Sequence, residues 1–318
     1  MTDFERYVLE EHVEDFNDGI ISRRELLRRV TLITGSLAMT MTMLTVLGCG
    51  DQPASSGAVA SPTSQPTGTP RPFATPPAQK TSDGITVRPD DPRIRVLTAA
   101  PKGPDGAPLI AYQAVPSGIS NPPVVLVVHE NSGLKEHIKD VCRRLATAGF
   151  GAIAIDLLSR SGGIAQLPDT AAYAAALAKR PPAEMVADLQ AALEQAAAGS
   201  SRRGITGFCF GGGLVWQTLA ARTALKAAVP FYGPAPADPT QVASTGAAVL
   251  ALYAQLDTRI TSTAPVMEEQ LKKTGHPYQV TIFPGVNHAF HNDTGDRYDP
   301  GQAEAAWVAT IDWFRKYL

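Results

Sequence analysis

From about residue 84 to the C-terminus, short unbroken apolar runs alternate with segments whose apolar residues recur every three or four positions. Val124–His129, Gly151–Leu157, Gly204–Phe208, Ala227–Phe231, Ala247–Tyr253 and Gln279–Phe283 have strand length. Val124–His129 is continuously apolar, as expected for a strand buried on both faces, Gly151–Leu157 is another apolar strand, and the others read as further strands. Between them, Lys135–Ala148 carries Ile138, Val141, Cys142 and Leu145 on one helical stripe, and Ala183–Ala198 carries Met185, Leu189, Ala192 and Ala196. Leu214–Arg222 and Thr263–Lys273 read as further helices, and Ala303–Leu318 closes the chain with Trp307, Ile311, Phe314 and Leu318 on one face. Two earlier runs, Arg93–Ala99 and Leu109–Val115, flank turn residues at 101–106 and predict an antiparallel entry hairpin. Repeated strand–helix alternation predicts a single α/β domain over 84–318, with a mostly parallel central sheet and helices on both faces.

The N-terminal part follows a different pattern. Residues 30–47 are almost free of charge, and Ser22-Arg23-Arg24-Glu25-Leu26-Leu27-Arg28-Arg29 stands just ahead of them. Paired arginines before a moderately hydrophobic, Thr- and Gly-containing stretch resemble a twin-arginine export signal. The stretch ends in Val46-Leu47-Gly48-Cys49. That ending resembles a lipoprotein processing site at which Cys49 is lipidated and becomes the mature N-terminus, although Leu47 departs from the small residue usual there. An uncleaved membrane anchor is the alternative, since the stretch is long enough to span a bilayer. Residues 1–49 are therefore expected to be a leader or anchor, with the rest of the chain exported and held at the outer face of the membrane. The first 21 residues are long and acidic for such a leader. Residues 50–83 are dominated by proline, serine, threonine and alanine, a composition that predicts a disordered tether.

Composition narrows the function classes. A net charge of -2 gives no reason to expect a nucleic-acid partner. Three cysteines, Cys49, Cys142 and Cys209, are too few for a disulfide framework, and their spacing fits no zinc motif. No metal or cofactor is expected. Cys142 lies on the apolar stripe of its helix and is expected to be a free, buried thiol.

The chemistry concentrates in Gly207-Phe208-Cys209-Phe210-Gly211, between a predicted strand and a predicted helix. This is the nucleophile-elbow pattern, with cysteine in place of the more usual serine. A thiol there meets a helix N-terminus, whose partial positive charge favours the thiolate. The alternative for the pentapeptide alone is an inert cysteine in a glycine-rich loop. A catalytic thiol needs a base, and the base needs an orienting group. Asp257 follows the strand Ala247–Tyr253, and His288 follows the last strand, in the chain order nucleophile, acid, histidine. His291 is a rival base further from its strand end. The oxyanion requires two N–H donors, expected from Phe210 and from the loop His129-Glu130-Asn131-Ser132-Gly133, where Asn131 is the better candidate.

With these parts in place the chain resembles the dienelactone hydrolase family, the carboxymethylenebutenolidase-like branch of the α/β hydrolases. The matching stretches are Val128-His-Glu-Asn-Ser-Gly-Leu134, Asp156-Leu-Leu-Ser-Arg160, Gly207-Phe-Cys-Phe-Gly-Gly212, Asp257, and Asn287-His-Ala-Phe-His291 with Tyr298 downstream. The resemblance implies an α/β-hydrolase fold, with Cys209 as nucleophile, His288 as base and Asp257 as its partner. It implies that Glu130 contacts the resting thiol and takes its proton when substrate displaces the carboxylate. It also implies that Arg160 binds a substrate carboxylate. The family's second such arginine falls here on Asn292.

The expected function is hydrolysis of a small-molecule carboxylic ester or lactone through an acyl-cysteine. The rival readings are a catalytically silent, lipid-anchored binding protein, and a peptidase or acyltransferase on the same fold.

Overall fold

The computed structural model describes residues 1–36, 38–40, 42, 85–98, 100–197, 199–221 and 223–318. Cys49 and the expected tether over 50–83 lie outside those residues. No helix among the described residues is long and apolar enough to cross a membrane.

The core is an eight-stranded sheet. Its strands are β1 (Ile94–Leu97), β2 (Ala111–Pro116), β3 (Val124–Val128), β4 (Gly151–Ile155), β5 (Arg203–Phe208), β6 (Ala227–Phe231), β7 (Ala248–Ala254) and β8 (Tyr278–Phe283). Their spatial order is β1-β2-β4-β3-β5-β6-β7-β8. The expected entry hairpin is present, with Ile94 opposite Pro116, and β2 runs antiparallel to β4. Every other pairing is parallel. All residues of β3, β4, β6 and β7 are buried, which is why they read as unbroken apolar runs.

Nine helices of the described residues cover the sheet and its rim. They are α1 (Asp3–Asn17), α2 (Arg23–Thr34), α3 (Glu136–Thr147), α4 (Thr170–Ala178), α5 (Pro182–Ala197), α6 (Phe210–Ala220), α7 (Thr258–Thr261), α8 (Ala264–Lys273) and α9 (Pro300–Tyr317). Helix α6 begins at Phe210, four residues before the sequence reading placed it. Glycine makes that early start possible. A Cβ on Gly207 would lie 2.5 Å from the Gly211 carbonyl oxygen, and one on Gly211 would collide with the carbonyls of Val128 and His129. Helix α4 has no apolar stripe to announce it: TAAYAAALA is apolar almost all round, and six of its nine residues are buried.

Helices α1 and α2 pack on the catalytic domain. Thr2 and Glu5 form a reciprocal capping box that starts α1. Ser22 caps α2, and Gly35 ends it in the left-handed conformation. Phe4, Tyr7, Val8, Glu11 and His12 recur at helical spacing and are buried, as are Leu26, Val30 and Ile33 of α2. The Thr2 hydroxyl donates to the Ala178 carbonyl (3.3 Å), Lys179 Nζ donates to the Leu32 carbonyl (3.1 Å), and Arg28 pairs with Asp169 (2.9 Å). Arg23 and Arg24 remain exposed on the first turn of α2.

Candidate active site

Strand β5 delivers the chain to Cys209, which has φ 57° and ψ -122°, a strained conformation for a residue with a side chain. The strain is sustained because Gly207 and Gly211 let β5 and α6 close tightly around it. As the first helical residue, Phe210 presents an amide that has no acceptor within its helix. Asn131 lies in the turn after β3, beside Glu130.

Asp257 ends the loop after β7 and caps α7, accepting from the Ile260 amide. Its other oxygen lies 2.6 Å from His288 Nδ1. Burial alone would lower the His288 pKa, but Asp257 outweighs it and holds the imidazole well above its ordinary value. For Asp257 the same pair outweighs burial and lowers the carboxyl. Cys209, Asp257 and His288 are thus brought together, at 2%, 1% and 1% exposure. His291 is separate: it stacks on Phe208 at 5.0 Å and is a packing residue whose burial keeps it well below the ordinary histidine pKa. Cys142 is free and buried, as expected, and Cys209 is likewise free.

Two expected contacts are replaced. The carboxylate against the thiol is Glu11 of α1, whose oxygens lie 3.5 and 3.6 Å from Sγ. Glu130 instead accepts from Asn292 Nδ2 (2.7 Å), and its second oxygen has no hydrogen-bond partner among the described residues. Burial pushes the Glu130 carboxyl up. Asn292, standing where the family places an arginine, therefore holds Glu130 in place. Arg160 pairs with Asp188 (2.7 Å) and with Asp105 (2.5 Å).

Sequence reasoning missed Tyr7. Its hydroxyl donates to Cys209 Sγ at 3.2 Å and lies 3.4 Å from His288 Nε2. Its ring sits under Arg259, 4.8 Å away, and Phe4 packs on Phe210 at 4.3 Å. A capping box and an apolar stripe signalled a helix here, but nothing local signalled where it docks. Burial first, then Glu11, push the Cys209 thiol up to about 11. Glu11, Cys209 and His288 also offer donor atoms within 4.8 Å of one another, a spacing compatible with one metal ion. That set exists only while α1 is seated.

Two cavities adjoin this region. One of about 380 Å³ is lined in part by Phe4, Tyr7, Gly213 and Pro234, and one of about 240 Å³ by Glu130, Asn131, Lys135 and Asn292. Neither is lined by Cys209, Asp257 or His288.

The family model "Dienelactone hydrolase family" matches residues 109–318. The chain belongs to this family. Among the dienelactone hydrolase relatives, it is 35% identical over 261 residues to a "Putative carboxymethylenebutenolidase" of Escherichia coli O157:H7, covering 76% of this chain and 94% of that one. It is 33% identical over 235 residues to a "Probable 2-oxo-3-(5-oxofuran-2-ylidene)propanoate lactonase" of Bradyrhizobium sp, covering 68% and 92%. Among solved structures, the "Putative Dienelactone Hydrolase" of Klebsiella pneumoniae subsp. pneumoniae MGH 78578 superposes with a TM-score of 0.64 at 33% identity. That match covers 70% of this chain and 99% of the other.

Proposed function

We propose that this dienelactone hydrolase family member hydrolyses carboxylic esters or lactones through a Cys209–His288–Asp257 triad. The observation that carries the reading is the His288–Asp257 pair at 2.6 Å beside a cysteine on a strained strand-to-helix turn. His288 takes the thiol proton, and the thiolate attacks the substrate carbonyl. The Phe210 and Asn131 amides are the proposed donors to the oxyanion. His288 then returns a proton to the leaving oxygen, giving an acyl-cysteine, and next activates the water that releases the acid. The names of the relatives support esters and lactones as the substrate class.

The chain is further proposed to be exported and anchored through its N-terminal region. Exposed Arg23 and Arg24, ahead of the apolar stretch, support that reading. Turnover of aryl esters and lactones by the chain and by Cys209→Ala tests the chemistry. The expected loss is ~10³-fold or more, because triad members act as a unit. Equal turnover by Cys209→Ala overturns the assignment.

A further inference from the structure

An acyl-transfer nucleophile must come within about 3–3.5 Å of a carbonyl carbon, with room for the rest of the substrate. Cys209 and His288 are 2% and 1% exposed, and no substrate reaches them in this arrangement. The groups occupying the approach come from α1. Tyr7 oxygen sits between Sγ and the imidazole, where the leaving oxygen and the hydrolytic water would each have to stand. Glu11 oxygens lie 3.5 and 3.6 Å from the same sulfur.

The helix is held by charge. Glu14 pairs with Arg259 (2.9 Å), two residues beyond the triad aspartate. Asp15 and Asp18 both pair with Arg297 (2.9 and 2.7 Å), and Asp18 also accepts from Asn287 (3.1 Å), the neighbour of His288. These contacts employ Glu14, Asp15 and Asp18 of that acidic segment. Helix α1 also lies outside the 109–318 span of the family match, so it is an addition to that domain.

We propose that α1 is an intramolecular inhibitor: it fills the substrate site, with Tyr7 and Glu11 on the catalytic thiol, and has to withdraw before a substrate reaches Cys209. The proposal rests on Cys209 being the nucleophile. No bond is made or broken in the switch, since withdrawal replaces the Tyr7 and Glu11 contacts with water or substrate. Processing at Cys49 would remove α1 and α2 together, so that an exported chain would open only after its leader had been cut.

The test uses the full chain with Cys49→Ser, leaving Cys142 and Cys209 as the alkylation targets for iodoacetamide. One variant adds Val8→Asp and Leu9→Asp, which put charges on the buried face of α1. A second adds Glu14→Gln, Asp15→Asn and Asp18→Asn, which keep the packing, leave the groups against the thiol unchanged and remove the ion pairs to Arg259 and Arg297. Cys209 alkylation is expected to accelerate about tenfold or more in both, equivalent to weakening closure by ~1.4 kcal/mol. Cys142 should stay slow, and Arg6→Ala, at an exposed position, should change nothing. Should the first variant expose Cys142 as well, it has unfolded, and the second variant decides. Cys209 labelling at the wild-type rate in the deciding variant overturns the proposal. So does faster labelling with a fall in ester turnover that substrate cannot rescue, because α1 would then complete a working site. Faster Cys209 labelling with no turnover of any ester or lactone keeps the inhibitor and discards the hydrolase reading.

Discussion

At the scale of single residues, the Cys209 thiol lies between a carboxylate that resists its ionisation and an imidazole that assists it. Glu11 is the stronger local influence after burial itself, and the thiol is pushed up to about 11. Removing the Glu11 charge while keeping its shape favours the thiolate, so in Glu11→Gln the thiol titrates lower. Burial remains, so the midpoint should fall between the ordinary cysteine value of about 8.5 and about 11. Thiolate absorbance against pH measures it, and a midpoint unchanged from the wild type would remove Glu11 from the site. The three positions of the proposed triad stand out in the sequence because each follows a strand, in the chain order that the nucleophile-elbow pattern expects. The partners of Arg160, Asp105 and Asp188, were not legible because they are distant in sequence and carry no motif. Glu130 was expected on the thiol, but that contact is made by Glu11, and Glu130 accepts from Asn292; both come from segments far away in sequence.

At the scale of elements, the turn from β5 into α6 concentrates the constraints. Gly211 packs its α-carbon against the Val128 and His129 carbonyls, which are backbone atoms and cannot swing aside. Gly211→Ala should destabilise the domain by about 1–3 kcal/mol through overpacking. Gly246, between β6 and β7, has nothing within 4 Å of a built Cβ and an ordinary φ, so Gly246→Ala should be neutral or slightly stabilising. Thermal midpoints of the two variants provide the comparison, and equal midpoints would contradict the packing argument. The same contrast explains what sequence could show. Strands β3 to β7 were legible because burial on both faces leaves one composition possible. The start of α6 was not, because three glycines are poor helix formers and only the approach of β3 and β6 makes them necessary. Helix α1 had its capping box and stripe in plain view. The arginine pair and apolar stretch that follow it directed the reading toward a leader, and a contact across 202 residues cannot be inferred from local pattern.

At the scale of the whole molecule, buried charge joins segments that are far apart in the chain. Asp293, just beyond the triad histidine, accepts from His137 Nδ1 (2.8 Å) and pairs with Arg144, fixing the loop after β8 to helix α3. Burial would raise its carboxyl, but His137 and then Arg144 outweigh it, and its pKa falls to about 2. A carboxyl depressed on folding binds its proton more readily in the unfolded chain, so its contribution is complete above the unfolded value of about 3.9. It is lost as pH falls from about 4 through about 2. The thermal midpoint should therefore decline over that window, and Asp293→Asn should make the decline shallower. At neutral pH the same variant should be less stable than the wild type, because His137 and Arg144 lose the charge they pair with. Parallel declines in the two proteins would mean that other carboxylates carry the acid sensitivity. Because this loop also carries His288, weakening it should loosen the base and the α1 contacts together. Cys209 alkylation in Asp293→Asn should then exceed the wild-type rate most at neutral and alkaline pH, where the wild-type carboxylate is charged and the reactive thiolate is available.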